Sequence, residues 1–312
     1  MQTIPVRIGT RGSPLALAQA HEVRDRLSAA WGEAAPAFEI VVIKTSGDRI
    51  LDRPLSEVGG KGLFTKEIEE ALIAGDIDLA VHSSKDMPTL LPDGLVLEHF
   101  LPREDVRDVL ISTRHASLAS LPAGAVVGTA SLRRQAMVKR LRPDLDVVTY
   151  RGNVQSRLRK LDAGEVDATL LALAGLNRLG LSHVATEILP EETFPPAVGQ
   201  GAIGIETRAG DARIDSLVSA IHDEATAVCL RAERAMLAAL DGSCRTPIAG
   251  HAKVAQGLLT LYGLILTPDG RIHHDGTVSG RPEDAAALGS GLGERLRLAG
   301  GPAFFTQHPA EG

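Results

Sequence analysis

The chain alternates strand-like and helix-like segments twice over, and this rhythm limits its possible folds more than any other feature. "VRIGT" (6–10) reads as a buried strand. Ser13-Pro14 then supplies a helix cap and a first-turn proline, with Leu15, Ala18, Val23 and Leu27 as the apolar face behind them. "FEIVVIKT" (38–45) is a second strand, "FTKEIEEALIAGD" (64–76) a helix closed by Gly75, "IDLAVHS" (77–83) a third strand and "LVLEHF" (95–100) a fourth. After "LPRED" (101–105) the pattern restarts. Strands "DVLIST", "AVVGTA", "LDVVTY" and "VDATLLALA" alternate with helices "SLRRQAMVKRLRP" and "NVQSRLRKLDAGE". Such alternation predicts parallel pairing with right-handed crossovers, in two α/β lobes that form a ligand-binding cleft.

The last third follows another grammar. A helix, "DEATAVCLRAERAMLAAL" (223–240), precedes three strand-like segments, "IAGHAKV", "LLTLYGLIL" and "RIHHDGTVSG". Their joins at Ala255-Gln256-Gly257 and Pro268-Asp269-Gly270 read as hairpin turns, and a glycine-bearing helix (281–300) follows. This predicts a small α+β domain. A length of 312 residues accommodates two or three domains.

Charge and cysteine content exclude several classes. A net charge of −6 disfavours a nucleic-acid partner. No apolar run approaches the roughly 18 residues of a membrane span. "MQTIPVRIGT" enters a strand pattern at once, which leads us to expect a cytoplasmic protein. Two cysteines make no disulfide framework, and no histidine spacing suits zinc, so no metal is expected.

Locally the charge is reversed. Lys and Arg crowd residues 131–160, where the only acids are Asp144 and Asp146. The lysines with Arg140, Arg142 and Arg159 read as a solvated helix face, and the rest as a pocket for a small anion. "GTRGSPLA" (9–16) sets Arg11 and Ser13 where a strand meets a helix N-terminus. "GTASLRRQ" (128–135) repeats the device with Thr129, Ser131, Arg133 and Arg134, and "RGNVQSR" (151–157) adds Arg151 and Arg157. Arginine's planar fork matches carboxylates, so several arginines together suggest a ligand with several carboxylates.

Against this stands "HSSKDMP" (82–88), which places Lys85 and Asp86 after a predicted parallel strand, at the edge where α/β sheets bind ligands. An acid in a cationic cleft weakens anion binding, so Asp86 is expected to act on something positive or proton-bearing. The plain alternative is a turn-forming Asp paired with Lys85. "GQGAIG" (199–204) matches a dinucleotide fingerprint letter for letter, but a strand-like segment follows it where that fingerprint needs a helix. "GGKG" (59–62) lacks the spacing of a phosphate loop and reads as a segment carrying Lys61. Cys229 falls on an apolar helix stripe and reads as a small hydrophobe. Cys244, in "DGSCRTPIAG", has no stripe, small neighbours and an adjacent Arg245, which leaves a reactive or an inert loop thiol open.

In order, "TRGSPLALAQA", "VGGKGLFTKEIE", "AVHSSKDMPT", "GTASLRRQ", "YRGNVQSRL", "LAGLNRLG", "PAVGQGAIGIE" and "DGSCRTPIAG" resemble the porphobilinogen deaminase (hydroxymethylbilane synthase) family over nearly the whole chain. The resemblance implies two lobes like type II periplasmic binding proteins and a small α+β C-terminal domain with a three-stranded antiparallel sheet. The implied boundaries are 1–101 with 202–219, 106–196, and 223–312.

It also implies a covalent dipyrromethane cofactor, joined by a thioether to Cys244, that primes the head-to-tail joining of four porphobilinogen units with loss of ammonia. Asp86 is implied as the catalytic carboxylate that stabilises positive charge on the pyrrole rings. Ser83, Lys85, Thr129, Ser131, Arg133, Arg134, Arg151 and Gln200 are implied to hold the cofactor. Arg11, Ser13, Lys61, Phe64, Arg157 and Arg178 are implied to meet substrate. A monomer is expected. The rival reading is a non-catalytic two-lobed binding protein for small anions, against which Asp86 and Cys244 both count.

Overall fold

The computed structural model describes residues 5–49, 64–240 and 246–306. The chain divides into two compact units, residues 1–104 with 201–227 and residues 105–200 with 228–312, so it changes unit after residues 104, 200 and 227.

The first unit holds strands β1 (Val6–Thr10), β2 (Phe38–Val42), β3 (Leu79–Ser83) and β4 (Leu95–Phe100), joined late in the chain by β10 (Ile203–Arg208). Their order is β2-β1-β3-β10-β4. Helix α1 (Pro14–Trp31) begins as its sequence requires, with Ser13 Oγ accepting the Ala16 N–H at 3.3 Å and proline in the first turn. Its buried stripe is Gln19, Ala20, Val23 and Leu27, one position away from the expected face at its start. Leu15 turns instead toward a pocket. Helix α2 (Lys66–Ala74) stops at Gly75, whose φ of 77° is the left-handed cap conformation. Both faces of the sheet are covered, one by the core of Ile8, Val23, Leu27 and Ile205, the other by Ile68, Leu72 and Ile77. Double coverage is why β3 is buried from Leu79 through His82.

The second unit repeats the layout with β5 (Asp108–Ile111), β6 (Val126–Gly128), β7 (Asp146–Val148), β8 (Ala168–Ala172) and β9 (Glu187–Ile188) in the order β7-β6-β8-β5-β9. Helix α3 (Leu132–Leu141) follows β6, capped by Ser131, and α4 (Val154–Asp162) precedes β8, capped by Asn153.

Two expectations are corrected. The sheets are mixed, because β10 runs antiparallel to β3 and β4, and β5 antiparallel to β8 and β9. The crossover rule governs strands joined through a helix within one sheet. Both β5 and β10 follow directly on a change of unit, so the rule does not bind them. Two strands are also shorter than their apolar runs. β2 ends at Val42, and Leu173 opens the short helix α5 (Leu173–Arg178).

Beyond helices α6 (Ala212–Ser219) and α7 (Glu224–Ala239), strands β11 (Ile248–Ala255), β12 (Leu258–Leu266) and β13 (His273–Gly280) form the expected antiparallel sheet. Gln256 and Gly257 both take positive φ, 53° and 74°, the signature of a type I′ hairpin turn. Helix α8 (Ala285–Thr306) packs beside α7. Its glycines serve close approach, since a Cβ on Gly293 would stand 2.6 Å from the Met236 carbonyl oxygen. Ala249, Leu264 and Leu266 join the core of Leu110, Val127 and Leu170, which makes this sheet part of the second compact unit. Among the described residues no helix is long and apolar enough to cross a membrane.

Candidate active site

In the first unit a pocket opens where β1 and β3 end and α1 and α2 begin, lined by Arg11, Ser13, Gln19, Phe64, Ser83 and Asp86 among others. Each lining residue has a local reason to be there. Arg11 occupies the short link between β1 and α1, and its guanidinium lies 4.1 Å from the centre of the Phe64 ring, a cation–π contact. Ser83 ends β3, and buried Gln19 donates to its hydroxyl at 2.8 Å. Ser84, Lys85 and Asp86 form a single helical turn after β3, closed by Met87 N–H to the Ser84 carbonyl at 3.3 Å. That turn buries Met87 while leaving Lys85 and Asp86 exposed.

Beneath β3 lies a polar cluster that sequence reasoning missed. His82 Nε2 meets Glu206 Oε2 at 3.0 Å, with both side chains buried. Burial raises the nearby Glu69 carboxyl above its ordinary value, and the Glu206 charge adds to this while the Thr65 side chain and His82 oppose it. In sequence, Glu69 was hidden by its helix, where acids at neighbouring positions read as solvated.

The second unit gathers the arginines. Arg133 and Arg134 open α3, yet both are turned inward, 5% and 6% exposed, onto the fully buried Asp108 at the head of β5. Arg133 Nη2 donates to Asp108 Oδ2 at 2.6 Å, and Arg134 donates to Oδ1 through Nη2 at 2.7 Å and Nε at 3.1 Å. Gln200 Nε2 joins the same Oδ1 at 3.0 Å. Burial pushes the Asp108 carboxyl up, but the two guanidiniums overcome this and hold it well below the carboxylate range. Arg133 Nη1 and Arg134 Nη1 reach the carbonyls of Pro195 and Leu170. Arg133 Nε is buried and has no hydrogen-bond partner among the described residues.

Around this pair stand the other expected residues. Thr129 is buried after β6, and its hydroxyl accepts the Ser131 N–H at 3.2 Å. Arg157 on α4 donates from Nε to the Gly152 carbonyl at 2.9 Å, one residue past Arg151. Burial, then the charge of Arg134, with Arg151 adding to it against Tyr150, pulls the Arg157 guanidinium down to about 10. A buried guanidinium with other cations beside it marks a place suited to an anion. Arg178 ends α5. Arg140 and Arg159 are exposed, as a solvated face requires, while Arg142 pairs with Asp144 at 2.6 Å.

Lys61, Cys244 and Arg245 lie outside the described residues. Cys229 is buried in the apolar core of the C-terminal sheet. "GQGAIG" is a turn running straight into β10, which removes the helix N-terminus a dinucleotide would need. Among the described residues no group of His, Cys, Asp and Glu could hold a metal ion.

Two family models match the sequence. "Porphobilinogen deaminase, dipyromethane cofactor binding domain" covers residues 6–216, and "Porphobilinogen deaminase, C-terminal domain" covers residues 227–297. The chain is 64% identical over 299 residues to a porphobilinogen deaminase of Nitrobacter winogradskyi, spanning 96% of this chain and 95% of that protein. Its match to a porphobilinogen deaminase of Nitrobacter hamburgensis has the same identity and spans. Among solved structures it is similar to a periplasmic substrate-binding protein of an ABC transporter from Coxiella burnetii. That match has 19% identity and a TM-score of 0.44, over 71% of this chain and 93% of that one.

Proposed function

The chain belongs to the porphobilinogen deaminase family, and from that premise we propose which of its residues perform the family's chemistry. It is a transferase that joins four porphobilinogen units into 1-hydroxymethylbilane with release of ammonia, primed by a covalent dipyrromethane.

The residues present suit that cofactor. A dipyrromethane carries several carboxylates, and the second unit offers Arg133 Nε, buried without a partner among the described residues, beside the crowded guanidiniums of Arg134, Arg151 and Arg157. When bound, the cofactor supplies a nucleophilic pyrrole carbon to which substrate is joined. We assign Cys244 as its thioether anchor. Arg133, Arg134 and Arg151, with Thr129 and Ser131, would bind its carboxylates, while Gln200, whose Nε2 hydrogens go to Val106 and Asp108, would support the arginine pair. Ser83 and Lys85 are likewise assigned to the cofactor.

Asp86 is assigned the charge-stabilising role. Ammonia leaves the substrate's aminomethyl group as a cation develops over the pyrrole nitrogens, and an exposed carboxylate on a short, fixed turn can accept those N–H groups and offset the charge. Arg11, Ser13, Arg157, Arg178, Lys61 and Phe64 are assigned to the substrate, with Arg11 held in place against the Phe64 ring. The three-domain division is retained as a proposal, supported for its third part by the separate antiparallel sheet. A monomer in the cytoplasm is proposed from the family resemblance.

The observation that carries this assignment is the buried pair Arg133 and Arg134, with Arg133 Nε left without a hydrogen-bond partner among the described residues. Its test is the intact mass of freshly purified protein. The chain should be heavier than its sequence by two linked pyrrole units, and Cys244→Ser should lack that increment. An active protein of bare mass would overturn the assignment.

A further inference from the structure

From the geometry around Asp108 we infer that this residue, which no motif singled out, positions the arginine pair for the primer. The inference rests on the reading that Arg133 and Arg134 bind carboxylates. Asp108 is fully buried, and its two oxygens divide the pair between them, Oδ2 to Arg133 and Oδ1 to Arg134. Gln200 Nε2 completes the clamp at 3.0 Å and is itself tied to the Val106 carbonyl at 2.7 Å. Side by side, two guanidiniums repel, and each arginine has several rotatable bonds through which to part from its neighbour. One carboxylate shared end-on cancels part of the repulsion and fixes both forks.

The clamp leaves one donor of Arg133 over. On Arg133, Nη2 is held by Asp108 and Nη1 by the Pro195 carbonyl, while Nε remains buried and unpartnered among the described residues. A buried charged donor in that state is costly unless something accepts from it. The charges point the same way, because one carboxylate offsets only one of two guanidiniums. A purely structural ion pair would be expected to close its charge and its donors, and this one leaves one charge and one donor unmatched. Asp108 is therefore a positioning residue, acting on the primer and substrate carboxylates through Arg133 and Arg134.

The test uses the full chain, expressed in cells that make porphobilinogen, with three readouts: intact mass for the fraction carrying the primer, KM for porphobilinogen, and melting temperature. Asp108→Asn should lower the primed fraction at least twofold and raise KM about tenfold, more than it lowers kcat of the primed molecules. Arg133→Lys should move the primed fraction and KM in the same direction. In the double variant, adding Asp108→Asn to Arg133→Lys should raise KM less than about threefold further, since the residue acts through a fork already lost. Asp108→Glu keeps the charge while displacing it by one methylene, and it covers the case in which the asparagine variant does not fold. Folded, it too should raise KM. A folded Asp108 variant with native primed fraction and KM overturns the inference, as does full additivity in the double variant. If Arg133→Lys alone leaves primed fraction and KM unchanged, the carboxylate-binding reading itself falls.

Discussion

Gln19 Nε2 donates to Ser83 Oγ at 2.8 Å, tying the inner face of α1 to the last residue of β3, three positions before Asp86. Gln19 is 4% exposed, an amide set deliberately among aliphatic neighbours on the buried stripe of its helix. The contact fixes where the strand ends and hence where the following turn begins. Gln19→Ala should cost about 1 kcal/mol of stability. If the same loss is felt in the transition state, kcat/KM falls roughly fivefold. Thermal melting and steady-state kinetics check both.

Asp86→Asn keeps the shape of the turn and removes its charge. Since Asp86 is exposed, the fold should melt within a degree or two of wild type. Turnover should fall on the order of 100-fold or more, the size of effect seen when one preorganised electrostatic partner is removed. Intact mass should still show the primer attached. Near-normal turnover would take the catalytic role from this residue.

A pair of glycines on α8 offers a test of packing that is independent of chemistry. A Cβ on Gly293 would meet the Met236 carbonyl oxygen at 2.6 Å and Ala239 Cβ at 2.7 Å, whereas one on Gly291 meets nothing within 4 Å. Gly293→Ala should therefore destabilise by about 1–3 kcal/mol. Gly291→Ala should stabilise by about 0.5–1 kcal/mol through helix propensity. Opposite shifts in melting temperature are the expected result.

Glu69 makes the stability of the first unit pH-dependent. Its folded carboxyl is raised above the unfolded value, chiefly by burial and also by Glu206 and Glu70, with Thr65 and His82 opposing. A group raised in this way contributes its stability fully below the unfolded value and loses it as pH climbs through the folded one. Glu69→Gln carries a neutral side chain at every pH. The melting temperature of Glu69→Gln minus that of wild type should rise as pH climbs above the ordinary carboxylate range. A flat difference would show that the carboxyl titrates normally.

Much of this was legible in the sequence because local chemistry decided it. Ser13-Pro14 starts α1, Gly75 stops α2, and Gln256-Gly257 turns the hairpin, each through backbone preferences that act over a few residues. The arginines Arg133, Arg134, Arg151 and Arg157 were legible as a crowd, since their number exceeds the acids nearby.

Their direction was not legible. Arg133 and Arg134 read as pocket residues, but only the fold brings Asp108, 25 residues earlier than Arg133, beneath them. The available signal was an acid heading the otherwise apolar strand "DVLI", a place where an unpaired carboxylate would be costly. Gln19 carried a similar signal as an amide inside an apolar stripe. The antiparallel strands escaped for another reason, because pairing between segments from distant parts of the chain leaves no trace in either segment's own periodicity.

The placement of β10 has a consequence for biosynthesis. It is flanked by β3 and β4, which are translated about a hundred residues earlier than it. While the ribosome makes residues 105–200, the first sheet waits with two naked edges that only residues 203–208 can seal. A nascent chain stalled or cleaved short of that point presents unpaired strands to any neighbour, which makes this interval the one where chaperone capture matters most.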